Sequence, residues 1–157
     1  MSLLSEYKGR TVDVAAFKGW ELGKSAQVTQ TLVLDGKGGE LIAGIEKLVQ
    51  RFTIELLTEY GSLTYLPRRG CSFILDSRAG MWQTSGDVSS SFATALLAVA
   101  DNLSGEESTS DPTDERFSSA TLESVALLGD SVTLHVNVVS MAGTAFTALM
   151  PINVVTY

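Results

Sequence analysis

The spacing of hydrophobic residues changes partway along this chain of 157 residues, and that change restricts the folds available to it. Up to residue 103 the clearest apolar runs recur every three or four residues, which is typical of helices packed on one side. From residue 121 onward apolar residues alternate with polar ones, which is typical of half-buried strands. Helices followed by neighbouring strands predict an α+β domain.

The strongest helical pattern lies in residues 40–60. We predict an amphipathic helix there, with Gly61 as its C-terminal cap because glycine tolerates the left-handed conformation. Glu55 and Glu59 stand four residues apart and so share a helix face, which we expect to point to solvent. The positions that form the buried stripe are Leu41, Ile45, Leu48, Phe52 and Leu56, widened by Val49, Leu57 and Tyr60.

A second helix is predicted over residues 86–103, with Asp87 or a nearby serine as its N-cap. The irregular stretch before it could contain a short strand at 72–75. Residues 104–116 are acidic and rich in Ser, Thr, Asp and Pro, so they predict an exposed loop. The helical stripe consists of Val88, Phe92, Leu96, Val99 or Ala100, and Leu103.

Residues 121–157 predict an antiparallel meander of three strands. Gly129-Asp130 is a hairpin signal, and Ala142-Gly143 turns the chain again. The segment 144–157 contains no charged residue, whereas a solvent-facing edge strand usually carries charges that discourage pairing. We therefore expect this segment to pair with a strand of another protein. The interacting residues would be Ala145, Phe146, Thr147, Ala148, Leu149, Met150, Ile152 and Val154.

The whole chain is thus predicted to be α+β, with two amphipathic helices packed on a small, mainly antiparallel sheet. Residues 38–157 would form a single domain. Residues 1–37 would form an extended N-terminal arm, because Val12 and Val14 alternate with polar neighbours and so do residues 28–32. The glycine-rich stretch 35–39 marks a turn between the arm and the domain.

Charge and composition exclude several function classes. The net charge of -7 argues against nucleic-acid binding, because phosphate backbones repel an acidic protein. No apolar stretch approaches the roughly 18 residues of a membrane span, and no signal peptide is visible at the N-terminus. Cys71 is the only cysteine, so no disulfide can form within the chain and a reducing compartment is expected.

The sequence offers few groups for catalysis or metal binding. His135 is the only histidine and occupies a polar position of an alternating strand, so a surface role is expected. One histidine and one cysteine are too few for an ordinary zinc site. Cys71 is expected to be a structural thiol. Two glutamates on one solvent-facing helix face do not form the pair across a cleft that a glycosidase needs. We therefore expect no enzymatic activity and no cofactor.

Residues 51–75 read RFTIELLTEYGSLTYLPRRGCSFIL. This segment resembles the core signature of the baseplate wedge, or sheath-initiator, family of contractile phage tails, whose members carry a historical lysozyme name. The resemblance continues through the second helix and the meander and covers about residues 38–155. Glu115 and Arg116 stand where the family carries Glu-Pro-Arg, without the proline. The matching positions are Leu56-Leu57-Thr58, Gly61-Ser62, Tyr65, Pro67 and Gly70-Cys71.

The resemblance implies a structural protein of the virion tail baseplate, assembled in the host cytoplasm, that templates the first ring of sheath. The implied partners are the tail sheath protein, other wedge proteins, and tube or hub proteins, with about six copies per baseplate by tail symmetry. Glu115 and Arg116 would be docking residues, and neither nucleic acid nor membrane would be a partner. Two alternatives stay open: a cytoplasmic protein-binding adaptor of the same fold, and a peptidoglycan hydrolase.

Overall fold

The computed structural model describes residues 12–14 and 41–153, which form the α+β fold that the sequence predicts. β1 pairs antiparallel with β2, and β3, β4 and β5 form an antiparallel meander in that order. Most of the predicted arm and Val154 lie outside the described residues. The elements are β1 (Asp13–Val14), β2 (Leu41–Ile42), α1 (Ile45–Leu57), α2 (Phe73–Arg78), α3 (Ser85–Glu106), β3 (Phe117–Leu128), β4 (Ser131–Ser140) and β5 (Ala145–Asn153).

The core lies between the helices and one face of the three-stranded sheet. α3 packs mainly over β3, and α1 packs over β4 and β5. β4 alternates strictly between buried and half-buried positions, as its sequence pattern predicts. Its buried side chains belong to the same core cluster as Phe52 and Leu56 of α1. The buried residues of β4 and β5 in this cluster are Val132, Leu134, Val136, Val138, Ala148 and Met150.

The first helix is confirmed but is shorter than predicted. Leu41, predicted as the first residue of the buried stripe, belongs to β2 and is 50% exposed. Tyr60, predicted to widen the stripe, lies beyond the helix end and is 59% exposed. Thr58, not Gly61, is the C-cap. Thr58 turns to an extended conformation because its carbonyl accepts a hydrogen bond from the Cys71 N–H at 2.9 Å. Gly61 does adopt a φ of 78°, but in the turn that follows.

The prediction of a strand at 72–75 is wrong, because the segment starts α2. Phe73 is fully buried there against Trp82 and Phe92, with ring centroids 4.6 Å and 6.1 Å away. A helical turn places Phe73 in this aromatic contact while Leu75 stays exposed. Core packing therefore decides the conformation of a segment too short to show a period of its own.

The second helix is confirmed as α3, and it extends three residues into the predicted loop. Its N-cap is Thr84, and Asp87 is the reciprocal partner in a capping box rather than the cap itself. The Thr84 N–H donates to the Asp87 carboxylate at 2.7 Å, and the Asp87 N–H donates to the Thr84 hydroxyl at 3.2 Å. Hydrogen bonds from the Thr84 side chain and backbone lower the pKa of Asp87.

Candidate interaction surfaces

β5 is an edge strand of the meander. It pairs with β4 along its whole length, and no strand among residues 12–14 and 41–153 pairs with its other side. Residues 145–150 and Ile152, which are predicted to bind a partner, all lie in this strand. An unpaired edge presents backbone N–H and C=O groups that can bind a strand of another chain.

The β4–β5 turn determines which backbone groups point outward. The Ser140 N–H donates to the Thr144 carbonyl at 2.9 Å, so these two residues form a hydrogen-bonded pair. Hydrogen-bonded and non-bonded pairs alternate along an antiparallel ladder, and the register shows no shift up to Asn153. Val139 and Ala145 therefore form a non-bonded pair. It follows that the odd-numbered residues of β5 direct their N–H and C=O groups away from β4.

Pro151 agrees with this register. Proline has no N–H and is tolerated in a strand where that N–H would point away from the ladder. Pro151 is an odd-numbered position and faces Thr133 of β4. The outward N–H donors of β5 are therefore those of Ala145, Thr147, Leu149 and Asn153. A guest strand would meet three donors in alternating positions and then a gap at the proline.

The side chains of β5 also differ between even-numbered and odd-numbered positions. Ala148 and Met150 are buried, and Phe146 and Ile152 pack against the core from partly buried positions. Thr147 and Leu149 lie half-buried on the opposite face of the sheet. The even-numbered residues therefore hold β5 on the helices, while the odd-numbered ones carry the outward backbone groups.

The face of the sheet opposite the helices is mostly polar and uncharged. Thr133, His135 and Asn137 of β4 lie on it, each half-buried. His135 sits in register between Ser124 of β3 and Leu149 of β5, neither of which carries a charge. A catalytic histidine is usually oriented by a carboxylate or another polar partner, and the two cross-strand neighbours of His135 supply no carboxylate.

Glu115, one of the two docking residues that the resemblance implies, is an internal contact. It is 3% exposed, and its carboxylate accepts hydrogen bonds from the Gly44 N–H at 3.2 Å and from Lys47 Nζ at 3.0 Å. Gly44 is the N-cap of α1, where the helix dipole favours a negative charge. Glu115 therefore attaches the loop before β3 to the start of α1.

Arg116 follows Glu115 and lies beside the β4–β5 turn. Its carbonyl accepts a hydrogen bond from the Met141 N–H at 2.9 Å. Its side chain is half-buried, and its Nε is buried with no hydrogen-bond partner within the described part of the chain. The prediction that both residues dock a partner stays a prediction. Their observed contacts join the loop, the helix start and the turn.

The acidic loop is only partly exposed, contrary to the prediction. The side chains of Glu107 and Glu115 are 6% and 3% exposed. Arg51 of α1 lies 3.6 Å from both Glu106 and Glu107 and donates to the Glu115 carbonyl at 3.3 Å. An open polar cleft of about 280 Å³ lies here, lined by Lys47, Arg51, Glu106, Asp111 and Glu115. Both cations of the cleft are engaged by carboxylates, Lys47 by Glu115 and Arg51 by Glu106 and Glu107, so neither is free to bind an anionic ligand.

The prediction that Glu55 faces solvent is wrong, since Glu55 is 1% exposed. One carboxylate oxygen accepts from the Gly70 N–H at 2.7 Å and from Asn102 Nδ2 at 2.5 Å. The other accepts from Arg69 Nε at 2.8 Å and Nη2 at 2.6 Å. Arg69 also forms an ion pair with Glu106. We call this group the Glu55 clamp, and it joins α1, the 58–72 connection and α3.

The Glu55 clamp does not provide a catalytic acid. A general acid needs a proton to give and access to a substrate, whereas both oxygens of Glu55 are engaged by buried or half-buried donors. Glu59 lies beyond the helix end and pairs with the exposed Arg78 at 2.6 Å. The helical spacing itself contained the signal for burial: position 55 is seven residues after Leu48 and three after Phe52, both fully buried.

Cys71 is a buried thiol, as predicted. It is 2% exposed, and its Sγ lies 3.2 Å from the Leu56 carbonyl, to which it can donate. Burial raises the pKa of the thiol. A raised pKa keeps the group protonated at neutral pH and therefore poorly nucleophilic, which fits a structural role.

Across residues 12–14 and 41–153, no three side chains among His, Cys, Asp and Glu come together as a metal site would require. None of the helices in that part of the chain combines the length and the apolar character needed to cross a membrane. Comparisons of the chain with protein-family models, with curated proteins and with solved structures found no match.

Proposed function

We propose that this chain is a structural protein of a contractile tail baseplate, and that the outer edge of β5 templates a strand of the first sheath ring. The observation that carries the proposal is the β5 edge itself. It carries outward N–H donors at Ala145, Thr147 and Leu149 and no charged side chain between Ala145 and Asn153. Strand addition to such an edge draws its affinity from backbone hydrogen bonds.

The resemblance of residues 51–75 to baseplate wedge proteins supports the same proposal and indicates the partners and the assembly in which the protein would act. The sheath protein would bind β5, while other wedge proteins and tube or hub proteins would hold the rest of the domain. The protein would act in the virion tail baseplate after assembly in the host cytoplasm, without catalysis and without a cofactor. A net charge of -7 disfavours nucleic acid and anionic membranes as partners.

An adaptor that recruits a peptide strand in the bacterial cytoplasm would use the same edge, because main-chain pairing does not depend on the identity of the guest. The neighbouring genes distinguish the two functions. Genes for sheath and tube proteins beside this one favour the baseplate function, and their absence favours the adaptor.

The proposal is tested by proline substitutions on the outward positions of β5. Thr147→Pro and Leu149→Pro each remove an N–H that points away from β4, as Pro151 already does, and should leave the β4 ladder intact. Thr147→Ala and Leu149→Ala are the matched controls, since they change the side chain and keep the N–H. We expect the proline variants to yield baseplates and tubes without polymerised sheath in electron micrographs, and the alanine variants to yield sheathed tails.

Normal sheath on proline variants that are folded would contradict strand templating by β5. Folding is checked by circular dichroism and by thermal melting of each purified variant. Amide hydrogen exchange gives an independent readout on the unmodified chain. The amides of Ala145, Thr147 and Leu149 should exchange slowly only when the partner is bound, whereas those of Phe146 and Ala148 should already be protected by β4 in the free protein.

A further inference from the structure

The loop 61–68 between α1 and α2 is exposed at all of its positions. It nevertheless carries large apolar side chains: Leu63, Tyr65 and Leu66 are 43%, 94% and 56% exposed. Exposed apolar side chains that are grouped, rather than scattered singly, mark interaction surfaces. We call this segment the 61–68 loop.

The base of the 61–68 loop is closed by backbone hydrogen bonds. The Tyr60 N–H donates to the Cys71 carbonyl at 3.1 Å, and the Cys71 N–H donates to the Thr58 carbonyl at 2.9 Å. Within the loop the Leu66 N–H donates to the Leu63 carbonyl at 3.1 Å. A loop held in one conformation before binding loses less entropy when it docks.

The Glu55 clamp fixes the C-terminal end of the same loop. Glu55 binds both the Arg69 guanidinium and the Gly70 N–H from within the core. Gly70 has a φ of 85°, and a Cβ at this position would lie 2.3 Å from the Thr58 carbonyl oxygen. The loop therefore stands on a rigid base while its apolar tip faces solvent.

The charge of the 61–68 loop indicates the kind of partner. Residues 61–69 contain no acidic residue, although the chain as a whole has a net charge of -7. Arg69 is held internally by Glu55 and Glu106. Arg68 is exposed and makes no hydrogen bond or ion pair with any described residue. The tip thus combines one available cation with an aromatic and two aliphatic side chains.

We propose that the 61–68 loop is a preorganised docking element for a protein that offers an apolar pocket rimmed by carboxylates. Tyr65 and Leu66 enter the pocket, and Arg68 pairs with a carboxylate at its rim. Tyrosine and arginine, with tryptophan, are enriched among the side chains that dominate binding energy at protein interfaces. This surface is separate from β5, so it can engage a partner whether or not β5 pairs with a sheath strand.

The first test places a photo-cross-linking amino acid at Tyr65 of the full chain, in the cells that produce the protein. The control places it at Leu128, which is 70% exposed at the β3–β4 turn. We expect position 65 to cross-link one partner protein at a site where mass spectrometry finds Asp or Glu beside apolar residues. Cross-links to lipid, to a second copy or to residues 1–40 of the same chain would overturn the proposal, as would labelling no stronger than at position 128.

The second test measures the Kd between the purified chain and the cross-linked partner. Tyr65→Ser and Arg68→Glu should each raise the Kd at least about tenfold. Arg68→Lys should retain most of the affinity, and changing the partner's rim carboxylate to lysine should restore binding of Arg68→Glu. Leu128→Ser should change the Kd less than about twofold. Wild-type affinity of a folded Arg68→Glu variant would overturn the pairing of Arg68 with a carboxylate.

Discussion

The Glu55 clamp and the β5 edge differ in whether their polar groups find hydrogen-bond partners within the chain. Around Glu55 the carboxylate and the donors of Arg69, Gly70 and Asn102 are brought together by three segments of the same chain. Along β5 the outward N–H groups meet no partner among the described residues. A polar group satisfied within the chain holds the fold together, whereas one left open is available to another chain. Substitutions in the first region should therefore change stability, and substitutions in the second should change assembly.

The largest loss of stability is expected from Phe52→Ala, next to the clamp on α1. Phe52 is fully buried, and its ring stacks on Phe117 with centroids 6.0 Å apart. Truncation should lower the free energy of unfolding by about 3–5 kcal/mol, out of about 5–15 kcal/mol for a domain of this size. Chemical denaturation measures this value. A loss below about 1 kcal/mol would show that the core is not where α1 meets the sheet.

Glu55→Gln should be the next most damaging change. It places an NH₂ group among donors and removes the charge that Arg69 faces. Breaking a buried ion pair costs about 3–5 kcal/mol of unfolding free energy. The lower end applies here because the Arg69 side chain is partly exposed to solvent and would still pair with Glu106. Glu59→Gln is the matched control, since its pair with Arg78 is exposed and is worth at most about 1 kcal/mol. Equal unfolding midpoints for the two variants would contradict a stabilising role for the Glu55 clamp.

Two glycine substitutions separate backbone strain from steric contact in the same region. Gly61 and Gly70 have φ values of 78° and 85°, but an added Cβ meets nothing within 4 Å at Gly61 and the Thr58 carbonyl oxygen at Gly70. Gly61→Ala should cost about 1 kcal/mol and Gly70→Ala about 2–3 kcal/mol of unfolding free energy. The difference between their denaturation curves isolates the contact. Identical curves would show that the base of the loop accommodates a Cβ at position 70 without further loss of stability.

The smallest effect on stability is expected from Thr147→Pro on the β5 edge. Its N–H points away from β4, so the free energy of unfolding should fall by no more than about 1 kcal/mol. Ala148→Pro, one residue on, removes a donor to Val136 and inserts a ring into the core, so its loss should be clearly larger. Thermal melting of the two variants compares them directly. The reverse order would mean that the odd-numbered residues, not the even-numbered ones, bond to β4.

The sheet and the long helices follow from the sequence because their periods are long enough to read. Eight residues of strict polar–apolar alternation, from Ser131 to Val138 of β4, leave one possible face for the core. α3 spans 22 residues, so its buried stripe repeats several times. α2 spans only 6 residues, too few to show a period. Its conformation depends on the contact of Phe73 with Trp82 and Phe92, which both lie outside this helix.

The clamp and the internal role of Glu115 could not be predicted with the same rules. Helical spacing placed Glu55 on the buried side of α1, but the expectation that charged residues face solvent overrode that signal. Glu115 lies in the loop before β3, where no period indicates burial. Their burial depends on partners that local patterns do not reveal: Asn102 lies 47 residues from Glu55, and Gly44 lies 71 residues from Glu115. The strand β5, in contrast, was predicted because the turn signals Gly129-Asp130 and Ala142-Gly143 divide the C-terminal segment into three strands. Its pairing with another protein, which the absence of charge suggests, stays a prediction.

The attachment of the β4–β5 turn has a mechanical consequence. The Met141 and Ala142 N–H groups donate to the carbonyls of Arg116 and Thr113, and Glu115 between them is tied to the start of α1. A guest strand that pulls along the axis of β5 would load all the hydrogen bonds between β4 and β5 at once, and the turn would pass the remaining force to α1. A pull across the strand would break the same bonds one pair at a time. The joint is therefore stiff along one direction and weak across it.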